Sequence, residues 1–299
     1  MKKVLLMLVA FAAVTAFAQD MPEADSTPAP KSKQNQQTPA QNSQMQNAAQ
    51  PGKLLPQAKT QEEYKAFQDT MATIQKGDPA QGEVAADAFA AKFKSSEITP
   101  ILYHRVLQLY QNDNNADKAI EVGKKILALN PNDPIANVLV ASMVSERIRE
   151  TDLDKEERLA EAEADAKRCL QTVDTEFVAN PGTPQERIDA SKNMIRSMAY
   201  AALANVETVR MNYPAAENYF KQSAALPGAA IDAVTWLRYA LLLDKQKKYA
   251  EAMGVANKAY DASTAGSQTQ ELIKKERERL TMLLSNATPA SASTPAPKQ

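Results

Sequence analysis

Three features of this 299-residue chain have residue types that could do chemistry. His104 is the single histidine, Cys169 is the single cysteine, and Asp113-x-Asn115-x-Asp117 has the opening spacing of a calcium loop. Metal motifs need several imidazoles or thiolates converging, so one histidine leaves no multi-histidine site. A thiol nucleophile needs an oriented base beside it, and the sequence offers none for Cys169. Cys169 shares a helical face with Ala162 and Ala166, which suits a small core residue, and it cannot form an internal disulfide. The calcium loop would need glycine at 118 and glutamate at 124, and both positions are lysine. The three features therefore read as a helix histidine, a core thiol, and a turn whose Asp and Asn cap helices.

Other candidates fail in the same way. Gly52-Lys53 is followed by leucine and Gly123-Lys124 falls in a helical run, so neither makes a phosphate loop. Acidic pairs such as Glu156-Glu157 lie in charged faces with compensating Lys and Arg, the pattern of a solvated helix surface. Lys274, Lys275, Arg277 and Arg279 alternate with Glu276 and Glu278, so this cluster is near neutral. With 35 basic against 36 acidic residues, no global excess points to nucleic acid. No catalytic, metal-binding or cofactor-binding residue is expected.

The elements behind these residues are repetitive. In Thr99–Asp133, Tyr103, Val106, Leu107 and Tyr110 fall at i, i+3, i+4 and i+7, one face of a helix. Asp113, Asn114 and Asn115 break the run with turn chemistry. A second amphipathic run passes through Ala119, Ile120, Gly123, Ile126 and Leu127, and Pro131 and Pro134 end it. A short helix pair cannot bury both faces alone and must stack on a similar neighbour.

Tyr103-x2-Val106-Leu107-x2-Tyr110, Ala119-x3-Gly123 and Pro131 together resemble the tetratricopeptide (TPR) pattern. Tyr200-x2-Leu203-Ala204-x2-Glu207 with Ala216-x3-Phe220 and Pro227 is a second copy. Trp236-x2-Tyr239-Ala240-x2-Leu243 with Ala252-x3-Ala256 is a third. In all three, nine positions separate the last first-helix residue from the second-helix alanine: 110 to 119, 207 to 216, 243 to 252. A degenerate copy, Asn137-x2-Val140-Ala141-x2-Val144 with Ala162-x3-Ala166, has a step of eighteen, which places about nine extra residues in its turn. Gly123 stands where the family usually has an aromatic, and the third copy lacks its closing proline. The aromatics of the repeats, Trp236 among them, are expected in packing positions.

The resemblance implies an all-α, TPR-like α-solenoid of stacked helix pairs with a C-terminal capping helix. About five pairs and the cap would fill residues 59–285. Thr60–Glu97 reads as a divergent first pair, and Thr183-Pro184-Gln185-Glu186 as the capping box of a long helix running towards Met211. The last helix, Gln270–Leu284, backs an apolar side with KKERER, the polar face a terminal repeat requires. Residues 1–18 read as a signal peptide: Lys2 and Lys3, an apolar core from Val4 to Val14, then Ala16-Phe17-Ala18. Cleavage would leave 33 basic and 36 acidic residues, a net charge of −3. The Pro/Gln-rich residues 19–58 and the tail 286–299 are too poor in aliphatic side chains to fold and read as disordered.

By the same resemblance, the first helix of each pair lines the binding surface. That lining comprises His104, Gln108, Gln111, Asn112, Ser142, Ser145, Asn205, Thr208, Leu237, Leu241 and Asp244. Family members that clamp C-terminal carboxylates use lysine and asparagine there, and lysine is missing from this set. The expected function is a non-enzymatic scaffold or adaptor of the bacterial cell envelope, exported to the periplasm or beyond, that binds a protein segment. It would need no nucleic acid and no membrane insertion after cleavage. An envelope-assembly factor acting through homo-oligomers or array edges is the alternative, and a hydrolase with an unrecognised site is disfavoured by the thin catalytic inventory.

Overall fold

The computed structural model describes residues 56–149, 151–180 and 182–287. These form eleven helices, with no strand among the described residues: α1 (Gln61–Ile74), α2 (Pro79–Lys92), α3 (Thr99–Asn112), α4 (Ala116–Leu129), α5 (Pro134–Arg147), α6 (Lys155–Glu176), α7 (Gln185–Val209), α8 (Tyr213–Ala224), α9 (Ala233–Lys245), α10 (Tyr249–Asp261) and α11 (Gln268–Ala287). The expected signal peptide, nearly all of the expected linker and most of the expected tail lie outside the described residues. None of the described helices is long and apolar enough to cross a membrane.

Helices α1 to α4 pack consecutively on one another, and so do α8 to α11, the consecutive helix-pair packing of a TPR-like α-solenoid. The helices begin where side chains can hold their free N–H groups. Thr60 accepts from Glu63 N–H, Asp78 from Gln81 N–H, Asn115 from Lys118 N–H, and Asp232 from Val234 and Thr235 N–H. The long α7 has 25 residues and begins at Gln185, as the Thr183-Pro184 signal predicts.

The nine-residue step has a backbone cause. After α3, α7 and α9 the chain closes a Schellman turn. Asn115 N–H donates to Tyr110 C=O (2.8 Å), Asn212 N–H to Glu207 C=O (2.9 Å), and Lys248 N–H to Leu243 C=O (3.0 Å). The residue before each donor is left-handed: Asn114 (φ 56°), Met211 (φ 62°) and Lys247 (φ 61°). Each donor is also the N-cap of the next helix. Its carbonyl accepts from Ala119, Ala216 and Ala252 N–H at 2.9–3.0 Å. Five residues for the turn bond and four for the first helical bond make nine. In the first pair Gly77 is likewise left-handed (φ 89°), Asp78 caps α2, and Gly82 N–H donates to the Asp78 carbonyl in the alanine place.

The eighteen-residue step of the degenerate pair is not all turn. The α3–α4 connector is residues 113–115, whereas the α5–α6 connector is 148–154, four residues longer. Another four residues add a turn to the start of α6, and one lengthens the end of α5. The insertion is thus absorbed mostly in helix, where its backbone groups are satisfied.

The described chain divides into two compact units, and the division falls inside α5, α6 and α7. The first holds residues 56–140 and 168–192. Its core includes Leu102, Val106, Leu107 and Ile126, all fully buried, with Phe89 against Phe67 and Phe93. Burial of each such side chain contributes about 1.5–3 kcal/mol. Gly123 sits on Val140 and Leu107: a Cβ there would lie 2.5 Å from Val140 Cγ2. The family's aromatic is excluded at this place because Val140 already fills it.

A charge network around the buried Glu83 ties α2 to α3 and α4 in this unit. Glu83 accepts from Tyr110 Oη (2.7 Å) and Lys125 Nζ (2.9 Å), and Lys125 also reaches both Asp87 oxygens. Tyr103 Oη donates to Asp87 (2.8 Å). Burial works against the Glu83 charge, but these donors and Lys118 outweigh it and hold the carboxyl below its usual range.

The second unit holds residues 141–167 and 193–287. Phe220, Tyr239, Ala240, Leu242, Leu243 and Leu280 belong to one hydrophobic cluster, in which Phe220 stacks on Tyr239 at 5.1 Å. Glu217 is buried and accepts from Lys221 (2.6 Å), Lys248 (2.6 Å) and Gln246 (3.0 Å). Burial alone would raise its pKa, yet those donors bring it down to about 2. A carboxylate depressed in the folded state stabilises above its unfolded pKa and loses that contribution as pH falls through the folded value.

Two outcomes follow for stability. Gly123→Ala should cost about 1–3 kcal/mol by overpacking against Val140, whereas Gly254→Ala, with open space around it in mid-α10, should gain about 0.5–1 kcal/mol. Urea denaturation of both variants checks this, and equal effects would contradict the packing. Glu217→Gln should lower stability at pH 7 by up to about 3 kcal/mol. It should also flatten the acid limb of the stability profile between roughly pH 4.5 and 2, read from denaturation midpoints across that range.

Candidate functional site

Helix α3 turns Leu102, Tyr103, Val106, Leu107 and Tyr110 into the core of the first unit. Its other face therefore carries Ile101, Arg105, Gln108 and Asn112, spaced i, i+4, i+7 and i+11, with His104 and Gln111 on the flanks. Four of the expected lining residues are thus brought together on one helix: His104, Gln108, Gln111 and Asn112. Asn112 is exposed, and the other three are half-buried.

His104 is more than an ordinary helix histidine. Its Nε2 lies 2.9 Å from Asp133 Oδ2, and its side chain is only a quarter exposed. Asp133 sits in the α4–α5 link and uses Oδ1 to cap α5 through Ala136 N–H (2.9 Å). Asn137, fully buried, secures the same link by donating to Pro131 and Asp133 carbonyls. The pair therefore fixes α3 to the start of α5. Burial disfavours the imidazolium, and Arg105 repels it, but the Asp133 carboxylate outweighs both and raises the His104 pKa above its ordinary value. Asp133 is lowered in turn, since His104 and the α5 N–H groups overcome its own burial.

Beside it, Arg105 has a different environment. Its single hydrogen bond among the described residues is a long one, 3.4 Å from Nη1 to Gln108 Oε1, and no carboxylate meets it. Burial pushes its guanidinium pKa down. Gln111 Nε2 is buried without an acceptor. Arg105 was absent from the lining read off the sequence, because a helical arginine gives no signal of its own when its pairing is unknown.

The remaining lining residues lie in the second unit. Ser142 and Ser145 on α5 are 6% and 3% exposed, and Ser145 Oγ donates to Ser142 C=O. Leu237 is 1% exposed and belongs to a hydrophobic cluster with Ala233, Ala259 and Ile273, against which Leu241 packs. These positions face protein. Thr208 Oγ1 donates to Ala204 C=O (2.7 Å), and Asp244 is ion-paired with Arg279, which also reaches Glu276. Asn205 and Leu241 are half-buried and retain exposed surface.

Cys169 is fully buried in α6. No group of metal-ligating side chains occurs among the described residues. Asn115 of the calcium-like spacing caps α4.

No family model and no curated protein matches the chain. Among solved structures it is similar to the assembly chaperone of RpL4 (Acl4, residues 1–338), with 12% identity and a TM-score of 0.38 over 75% of this chain and 99% of that one. That similarity is too slight to bear on function.

The lone histidine makes the Asp133 contact directly observable. Its titration by NMR should have a midpoint above the ordinary 6.5, returning towards 6.5 in Asp133→Asn. A group raised in the folded state stabilises fully below its unfolded pKa and loses that contribution as pH rises through the folded one. Stability should therefore decline on the alkaline side of about pH 6.5, and His104→Gln should remove that slope. A midpoint at or below 6.5 in the intact chain would refute the ion pair.

Proposed function

We propose that this chain is a TPR-type scaffold of the bacterial cell envelope that binds a segment of another protein on the exposed faces of its first helices. The observation that carries the reading is the face of α3. A helix whose core side is fully packed still presents a half-desolvated row of polar side chains, Arg105, Gln108 and Gln111, with few internal partners. Leaving the buried Gln111 Nε2 unpaired costs about 1–3 kcal/mol, a cost that a bound acceptor recovers. In the second unit, Asn205 and Leu241 offer further exposed surface on first helices.

Export rests on the first eighteen residues of the sequence, whose basic start, apolar core and Ala-Phe-Ala end fit a cleaved leader. An assembly role through copies of the same chain is the competing reading, and the same experiment separates the two.

A photo-crosslinking residue placed at Gln108 or at Asn205 in living cells should give one dominant protein adduct, recovered from the envelope fraction on a chain that begins at Gln19. Adducts between copies of this chain alone would favour the assembly reading. No adduct at either position would sink both, and a cytoplasmic adduct on a chain retaining Met1 would sink the envelope placement.

A further inference from the structure

In the second unit Arg210, Arg238 and Arg279 meet carboxylates, while Arg277 stacks on Tyr260 and Arg196 bonds the Asn193 amide. Arg210 bonds Glu163 (2.6 Å) and Glu207 (3.0 Å), Arg238 bonds Glu146 (2.6 Å), and Arg279 reaches Asp244 and Glu276. In the first unit Lys125 is divided between Glu83 and Asp87, and His104 is matched by Asp133. Arg105 has neither a carboxylate nor a ring against it among the described residues. It is half-buried on the exposed side of α3, has lost hydration, and has no acid beside it. The Asp133 carboxylate is already engaged, by His104 on one oxygen and by Ala136 N–H on the other.

We infer that Arg105 is the anchor for an acidic side chain, Asp or Glu, of an extended polypeptide lying along α3. This rests on the scaffold reading above and names the chemistry of its partner. The guanidinium presents a planar fork of donors that matches a carboxylate. Gln108 Oε1 accepts from one arm of that fork, which leaves the Gln108 amide nitrogen free to donate to the same anion. The charge of the site also selects its ligand. One uncompensated positive charge among neutral amides matches a single carboxylate, whereas a phosphate dianion would leave charge unmatched.

A side chain fits better than a chain terminus. Arg105 lies in mid-helix, with Ile101 about 6 Å behind it and Asn112 about 10 Å ahead at the helical rise. A segment passing over Arg105 therefore has helix surface to follow in both directions.

Titration of the intact protein with an oligoglutamate peptide, acetylated and amidated at its ends, tests this against a matched oligoglutamine. Oligoglutamate should bind about tenfold more tightly, as one charge-assisted pair allows. Arg105→Gln should abolish the preference, and Arg105→Lys should retain part of it. Lys65→Gln, an exposed lysine of α1 paired with Asp69, should leave it unchanged. Gln108→Glu is the independent variant: it sets a carboxylate one turn from Arg105, so it should keep or raise stability while blocking oligoglutamate.

The assignment is overturned if the two peptides bind alike, if Arg105→Gln keeps the preference, if Gln108→Glu leaves binding intact, or if binding needs a free C-terminus. Competition by inorganic phosphate that is stronger than competition by acetate also overturns it. A partner adduct at Gln108 that survives Arg105→Gln would remove this inference and leave the scaffold reading standing.

Discussion

The fold depends on one residue doing two jobs at each sharp turn. Asn115, Asn212 and Lys248 each donate the hydrogen bond that closes the preceding helix and accept the first bond of the following one. Two helices are thereby joined through a single fixed hinge, with no slack residue between them. The price is a left-handed residue just before it, which is cheap for Gly77 and Asn114 but costs Met211 and Lys247 about 1–2 kcal/mol each. The hinge brings the two helices together at the fourth residue of the second, so only a very small residue fits there. Ala119, Ala216, Ala252 and Gly82 satisfy that demand and are all buried.

Packing between successive pairs is then set by volume complementarity one turn further on. Phe220 stacks on Tyr239 in the second unit, while Gly123 accommodates Val140 in the first. In the repeat register these are the same contact, four residues after the turn alanine against the fourth residue of the next first-helix motif. One interface fills it with two large flat rings and the other with a bare backbone against a branched side chain. The buried acids follow the same logic, since Glu83 and Glu217 both stand one residue after the small turn residue and both reach forward to the next pair. Each interface is specified by residues from two repeats at once, so neighbouring pairs cannot be exchanged freely although their backbones are alike.

That division explains what could be read from the sequence. Helices and their pairing were legible because periodicity and the nine-residue step are local, written within about thirty residues. Contacts between pairs were not, since they join residues whose distance along the chain carries no pattern. Gly123 read only as a departure from the family's aromatic because the side chain excluding a larger residue, Val140, lies seventeen positions later. His104 read as an ordinary helix residue because Asp133 belongs to a different connector, twenty-nine residues away. The eighteen-residue step showed that something was inserted, but helix and loop absorb length equally well in a count of positions. The lining is the hardest case: a repeat motif says which helix comes first in each pair, yet Ser142, Ser145 and Leu237 are covered by neighbours that the motif does not describe.

The charge arrangement gives the last step. A half-buried guanidinium is costly to leave alone, and a helical chain has an inexpensive remedy, a Glu or Asp three or four residues away. The sequence uses that remedy repeatedly: Arg210 with Glu207, Arg279 with Glu276, Lys221 with Glu217 and Lys167 with Glu163. Three residues after Arg105, where Lys118 has Glu121, it has Gln108, a side chain of the same shape as Glu without the charge. Folding stability alone would favour the acid. The neutral amide keeps the arginine oriented and its charge available, and that combination is what recognition of an anion from another chain requires.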